Sequence, residues 1–168
     1  MNEELAAYIT RLCELSGHTT RIEDDSILVK PGEGYTDVYE AFTMVKDYYS
    51  FGYFERYSFG GADFSSASFE IFKKFAIMHF AADIRAARQL PPLSVPPVTD
   101  VHPSFSIEFV EPISYLLTSK ASPIPTTYTN LSPNALVPLS YLMDTPSDDL
   151  LSLVLEPSGD GYVALFQR

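Results

Sequence analysis

Few residues in this sequence have the types and spacing that acid–base, nucleophilic or metal chemistry requires. The three histidines, His18, His79 and His102, lie far apart in the chain, and Cys13 is the single cysteine. One cysteine excludes an internal disulfide and any multi-cysteine metal site. Neither a G-x-S-x-G nucleophile elbow nor an H-E-x-x-H metal pair is present. The sequence therefore marks no nucleophile and predicts no metal and no cofactor.

Paired carboxylates are the remaining candidates for catalysis. Asp24-Asp25 and Asp148-Asp149 are adjacent pairs, and each lies where a turn or a helix start is expected. The alternating acids with a final Glu that form a calcium loop are absent. A glycosidase-like carboxylate pair that assembles only in the fold stays open.

The charge of the chain is strongly and unevenly negative. The 168 residues include 22 acidic and 11 basic side chains, which gives a net charge of −11. Residues 1–63 hold 12 of these acids and 5 of the bases, whereas residues 64–120 are neutral. A negative field repels phosphate backbones, which argues against a nucleic-acid partner, and it speeds encounter with a basic protein surface. Solubility alone is the other explanation.

The sequence also predicts where the protein works. Its first residues, MNEELAAYIT, are acidic and lack the apolar run of a signal peptide. No stretch reaches 18 uncharged apolar residues, so no membrane span is predicted. A single cysteine is more typical of a reducing compartment than of a secreted protein. We therefore expect a cytoplasmic protein without a membrane partner.

Two helices are predicted to frame the fold. Residues 2–16 place apolar side chains at i, i+3 and i+4, with Asn2 as the cap and Gly17 at the end. Residues 66–90 predict a long helix that stops at LPPLSVPP, because proline cannot continue a helix. Its cap candidates are Asp63, Ser65 and Ser66.

The long helix is expected to be apolar on most of its surface. At 100° per residue one charged edge is left, formed by Glu70, Lys74, Arg85 and Arg88, with Glu70 and Lys74 as an i, i+4 pair. His79 falls on the apolar side and is expected to be buried and neutral, and Cys13 is expected to be a core residue of the first helix.

The rest of the chain is mostly extended in this interpretation. Residues 18–30 predict a hairpin, and strands are expected at 37–46, 51–59, 104–110, 114–119 and 161–166. Residues 132–144 predict a helix capped by Ser132, and residues 147–156 suit a helix or a buried strand. The predicted fold is a single α+β domain over residues 1–168, a mainly antiparallel sheet packed against an N-terminal helix and one long central helix.

The stretch DYYSFGYFERYSFGGADFSS, residues 47–66, holds eight aromatic rings and no His or Cys. A strand over 51–59 would place four of these rings on one face, which must then pack against something. Tyr48 and Tyr49 precede that strand in a turn region, where an exposed ring supplies contact area for a protein partner. Both rings folding back onto the sheet is the alternative.

The segment ERYSFGGADFSSASFEIFKKFAIMHFAADIRAARQLPPLSVPP combines several features in one order. A Tyr-rich strand leads into a D-x-x-S/A helix start and a long helix, which is followed by Ile84-Arg85, Arg88 and Leu90-Pro91-Pro92-Leu93. This order resembles the bacterial polymorphic-toxin immunity family that includes the antidote of the tuberculosis necrotizing toxin. The resemblance covers roughly residues 20–100.

The resemblance implies a small α+β protein that is not an enzyme and that binds and occludes the active site of a cognate toxin. For relatives of the named toxin, the target cleaves the nicotinamide–ribose bond of NAD or NADP. The structural signature would be Arg85, Arg88, Leu90, Pro91 and Leu93, with the arginines holding carboxylates or carbonyls and the leucines pinning the loop to the core. The candidate toxin contacts are Asp24, Asp25, Glu33, Tyr48, Tyr49 and Gln89.

Two other functions stay open on the sequence alone. An enzyme that uses scattered carboxylates would require a pocket holding two convergent titratable groups. A self-associating scaffold would use the aromatic surface to contact further copies.

Overall fold

The computed structural model describes residues 2–30, 38–55, 58–110, 113–130 and 132–167. In this part of the chain eight strands form one antiparallel sheet with the order β1-β2-β3-β4-β5-β8-β7-β6. The strands are β1 (Thr20–Glu23), β2 (Ser26–Val29), β3 (Val38–Val45), β4 (Tyr48–Glu55), β5 (Ser58–Ser66), β6 (Phe105–Val110), β7 (Ser114–Ser119) and β8 (Thr127–Thr129). The predicted α+β class is confirmed.

The sheet consists of two meanders that meet at one seam. Strands β1 to β5 each pair with the next strand in sequence, and so do β6, β7 and β8. The seam is the short pairing of β5 with β8, in which Ser66 lies opposite Thr127. Their hydroxyl oxygens are 2.9 Å apart across 61 positions of sequence.

Five α-helices complete the described part of the chain. The first begins as its sequence predicts, because the Asn2 side-chain oxygen accepts a hydrogen bond from the Leu5 N–H at 2.9 Å and Gly17 ends it with φ of 77°. The helices are α1 (Glu3–Ser16), α2 (Phe69–Ala87), α3 (Leu136–Leu142), α4 (Ser147–Leu155) and α5 (Asp160–Ala164), with 3₁₀ turns at Pro133–Ala135 and Leu165–Gln167.

Helix α2 is the long central helix, and α1 lies beside it. The N-cap of α2 is Ser68, whose hydroxyl accepts from the Ile71 N–H at 3.3 Å. The predicted caps Asp63, Ser65 and Ser66 belong to β5 instead. Aromatic rings join α2 to the sheet: the ring of Phe75 stacks on that of Phe64 in β5, with the ring centroids 3.9 Å apart. Cys13 is buried in the same core, and burial raises the pKa of its thiol to about 12.

Two of the four residues predicted to form a charged edge of α2 are buried, so the prediction is wrong for them. Lys74 and Arg85 are 5% and 1% exposed. The Lys74 ammonium donates to the Met143 carbonyl at 2.6 Å, and Glu70 pairs instead with Lys73 at 2.7 Å. Acceptors from distant parts of the chain explain this burial, because a cation inside a protein requires partners. His79 is half-buried, with its Nε2 3.0 Å from a Glu40 carboxylate oxygen.

The strand predicted over 51–59 is in fact the end of β4 and the start of β5. The two strands pass closest at Gly52, where the pairing register shifts and a side chain would collide with the Gly61 carbonyl. Phe51 and Phe54 differ by an odd number of positions and are both buried because they lie on opposite faces of the sheet: Phe51 belongs to the main core, whereas Phe54 packs in a smaller cluster with Leu28 and Ala41.

The prediction of a C-terminal strand at 161–166 is also wrong. These residues form α5 and the following 3₁₀ turn, and the buried side chains Tyr162, Leu165 and Phe166 have the i, i+3, i+4 spacing of a helical face. The ambiguous segment 147–156 is helix α4. Strand β8 was not predicted, since three residues give almost no periodic signal.

Candidate functional site

The turns of two hairpins lie at the same end of the sheet and carry exposed carboxylates. Asp24 and Asp25 form the β1–β2 turn with φ of 47° and 62°, and the Asp25 carbonyl accepts from the Thr43 hydroxyl at 3.4 Å. Strand β3 ends two residues after Thr43, at Val45, and the β3–β4 turn of Lys46 and Asp47 follows. The pairing of β2 with β3 therefore places three carboxylates together.

Two helix N-termini add acids to this end. The Asn2 amide of α1 donates to the Met44 sulfur at 3.2 Å, next to the β3–β4 turn. The first residue of α4, Ser147, is held by Glu70 in the first turn of α2. We call the seven exposed carboxylates of these four segments the acidic end: Glu3, Glu4, Asp24, Asp25, Asp47, Asp148 and Asp149.

The two candidate tyrosines start β4 and are not in the turn before it. Tyr49 stacks on Phe69 with ring centroids 4.7 Å apart, so its ring serves the packing of α2 on the sheet. Tyr48 points to the opposite face, where it meets Tyr128 edge-on at 5.8 Å. Both are half-buried, and Tyr48 lies directly beside Asp47 of the acidic end.

Gln89 lies at the other end of the molecule. It is exposed with φ of 56° just after α2. The last turns of this helix are beside the start of β1, because Asp83 contacts His18 at 3.1 Å. The structure therefore separates Gln89 from Asp24 and Asp25, and Glu33 lies outside the described residues.

The structural signature after α2 is built around Arg85. Its guanidinium donates to the carbonyls of Pro91, Val154, Glu156 and Pro157 at 2.5 to 3.1 Å. The expectation that it holds carbonyls is therefore confirmed, although three of the four lie at or just after the end of α4. Arg88 is exposed, and Leu90 and Leu93 are half-buried against a cavity.

Two cavities show what chemistry the described residues could perform. The larger, about 530 Å³, is lined by apolar side chains with Arg85, Asn134 and Tyr162, and no carboxylate faces it. The smaller, about 280 Å³, is lined by the acids Glu4 and Asp148, the cations Arg11 and Lys73, and Tyr8. Burial and the charges of Asp148 and Glu70 raise the pKa of Tyr8, so its phenol stays protonated at neutral pH.

The described residues hold no group of three His, Cys, Asp or Glu side chains that could bind a metal ion. A comparison with protein-family models matches residues 12–162 to "Immunity protein 61". The chain belongs to the immunity protein 61 family. The match confirms the resemblance to an immunity family and extends it well beyond residues 20–100.

The fold of this immunity protein is similar to a solved structure, Rv3902c from M. tuberculosis. The two share 22% sequence identity with a TM-score of 0.70, over 95% of this chain and 91% of the other. Curated protein sequences give no significant match. None of the helices in the described ranges is long and apolar enough to cross a membrane.

Membership of an immunity family implies an antitoxin role, a cognate toxin as partner and inhibition without catalysis. Sequence reasoning found Asp24, Asp25 and Tyr48 as contact candidates but missed their neighbours Glu3, Glu4, Asp47, Asp148 and Asp149. Helix N-termini often carry acids for reasons of the helix dipole alone. Only the topology of the sheet and the contact between α2 and α4 show that these acids share one end.

Proposed function

We propose that this immunity protein binds and occludes the active site of a cognate toxin that degrades NAD or NADP. Family membership over residues 12–162 carries the inhibitory part of the proposal. The resemblance of residues 20–100 to relatives of the necrotizing-toxin antidote supports the toxin's reaction. A cleft that binds a dinucleotide is often lined with positive charge, and the acidic end has the opposite sign.

The acidic end and Tyr48 are the surface that we propose for toxin contact. Its carboxylates sit on four short segments that capping bonds and a tight turn hold in place, so little conformational entropy is lost on binding. Tyr48 adds an aromatic ring beside these charges, and aromatic side chains are common energetic centres of interfaces. We further propose that the chain acts as a single domain in the cytoplasm of the toxin-producing cell.

Co-expression with the toxin encoded by the neighbouring gene tests the proposal. We expect the two proteins to co-purify and the toxin's consumption of NAD⁺ to stop at a 1:1 ratio. Inhibition of a lethal enzyme requires nanomolar affinity or better, about 12 kcal/mol, which a standard interface of about 1,600 Å² can supply. A toxin whose killing this protein blocks, but which leaves NAD⁺ and NADP⁺ intact when it acts alone, would contradict the proposed reaction and leave the inhibitory role standing. A toxin that still kills and does not co-purify would contradict both.

Self-association is a second candidate, and one surface favours it. Phe109 and Val110 at the end of edge strand β6 are 59% and 44% exposed, and Ile113, just before β7, is 62% exposed. An exposed apolar edge strand can pair with a second copy. Sedimentation decides between the two: a monomer at tens of micromolar removes this candidate.

A further inference from the structure

A groove on the helical side of the molecule lies away from the acidic end. It runs between the second half of α2, the proline-rich segment 90–98 and the C-terminal helices, and it encloses about 530 Å³. We call it the α2 groove. Ligand sites commonly measure about 300–1,000 Å³. Its apolar walls include Met78, Ala82, Ala86, Leu90, Leu93 and Val95.

The groove exists because small side chains face an extended segment. Helix α2 presents Ala81, Ala82 and Ala86 on this side, and none of them fills the space up to segment 90–98. The prolines of that segment keep its backbone extended, so it cannot fold down as a further helical turn.

Two polar side chains line the groove from its buried side. Tyr162 is 3% exposed, and its hydroxyl makes no hydrogen bond to the described residues; because none of their fully buried side-chain oxygens lacks a partner, this oxygen is open to the groove. Burial raises the pKa of this phenol, so it is a neutral donor. Arg85 uses four of its five N–H groups on carbonyls, and no carboxylate in the described ranges pairs with it. An unused donor and a buried cation thus line the same apolar space.

We propose that the α2 groove binds a small monocarboxylic acid with an apolar body, such as a medium-chain fatty acid. The carboxylate would accept a hydrogen bond from the Tyr162 hydroxyl and provide negative charge near Arg85. The chain would lie along the alanines of α2 and against Leu90 and Leu93. This site does not depend on the proposed toxin or on the acidic end.

Titration of decanoate into the purified full chain, followed by calorimetry, tests the proposal. We expect saturable 1:1 binding below the micelle concentration, about 10-fold tighter than that of the neutral probe 1-decanol, because the carboxylate accepts from the Tyr162 hydroxyl and lies near the positive charge of Arg85. Tyr162→Phe removes only the hydroxyl and should weaken decanoate binding about 5- to 10-fold. Tyr115→Phe, on the distant strand β7, is the matched control and should change nothing.

Ala86→Phe places a ring in the mouth of the groove, at an exposed helix position where folding is not at risk, and should abolish binding. No saturable binding of decanoate to the wild-type chain would overturn the proposal. Equal affinities for decanoate and 1-decanol together with an unaffected Tyr162→Phe would overturn the assignment of the head group. A dimer in sedimentation that Ala86→Phe dissociates would show that a second copy covers the groove, which also overturns it.

Discussion

Arg85 has an environment that is rare for its residue type. A cation that is 1% exposed would normally be paired with a carboxylate. Here backbone carbonyls take that role, and two of them, from Val154 and Glu156, end helix α4, where the helix dipole also favours a positive charge. One side chain thus ties segment 90–98 and the end of α4 to α2.

Replacing Arg85 should be the most damaging single change outside the aromatic core. Arg85→Met leaves four carbonyls without their donor, and we expect a loss of about 3–5 kcal/mol in the free energy of unfolding. Arg85→Lys keeps the charge but not the planar fork of donors, so it should rescue only part of the loss. Urea unfolding measures both, and Arg88→Ala, at an exposed position, should stay within about 0.5 kcal/mol of wild type. A stable Arg85→Met variant would show that the carbonyls find other donors.

At the scale of elements, Glu70 joins two helices. Its carboxylate accepts from the Ser147 N–H at 2.7 Å and hydroxyl at 2.9 Å, which anchors the start of α4 to the first turn of α2. Burial raises the pKa of Glu70, but hydrogen bonds from Lys73 and Ser147 outweigh it, and the pKa lies below its ordinary value of 4.5. The ionised carboxylate is therefore the form that the fold favours.

This contact predicts a pH dependence of stability. Because the pKa of Glu70 is lower in the folded state, its contribution is complete above about pH 4.5 and is lost as the pH falls through the folded value. Glu70→Gln should be less stable than wild type at pH 7 by less than about 1 kcal/mol, since 44% of the side chain is exposed. Urea midpoints should converge in acid, while Glu14→Gln, an exposed acid of α1, should match wild type throughout. A difference that persists at pH 3 would contradict this origin.

The β4–β5 hairpin depends on one glycine. A Cβ at Gly52 would collide with the Gly61 carbonyl and approach the Phe59 ring at 3.0 Å, so Gly52→Ala must shift one strand. We expect a loss of about 2–3 kcal/mol in the free energy of unfolding, measured by urea denaturation. Gly60→Ala is the matched control in the same hairpin, because its Cβ meets only the Tyr53 carbonyl at 3.5 Å. Equal stabilities of the two variants would contradict the predicted collision.

The sequence predicted those elements whose signals are local. The first helix has its cap, its apolar face and its terminal glycine within 17 residues, and the β1–β2 hairpin has its turn acids between two β-rich segments. The errors arose where the decisive partner is distant. The sequence places Arg85 on a charged edge and gives no sign of its burial, because its acceptors at the end of α4 lie about 70 positions away. The acidic end was only partly predicted for the same reason, since it is assembled from four separate segments.

At the scale of the whole molecule, the uneven charge along the sequence becomes a concentration of negative charge at one end. Acids of α1, α4 and two hairpin turns face one end, whereas the apolar edge of β6 lies towards the other. A field of this kind orients a basic partner before contact, which raises the association rate more than the affinity.

Neutralising two charges of the acidic end should therefore slow binding of the toxin. Asp24→Asn with Asp25→Asn keeps the left-handed turn, which Asn tolerates, and should lower the association rate constant about 3-fold or more at low salt. Stopped-flow mixing with the purified toxin measures this rate, and the difference should shrink in 0.5 M salt because of screening. Glu55→Gln with Glu108→Gln removes the same charge elsewhere and should have a smaller effect. Equal rates for both pairs would contradict steering by this end.

The seam between β5 and β8 has a consequence for how the chain folds. Each meander needs only contacts between neighbours in sequence, whereas the seam must close a loop of about 60 residues for three residue pairs. We expect the N-terminal meander and α2 to become compact first, even while the last third of the chain is still being synthesised, and the closing of the seam to limit the folding rate. Pulse-labelled hydrogen exchange should then show amides of β3 and β4 protected before those of β8.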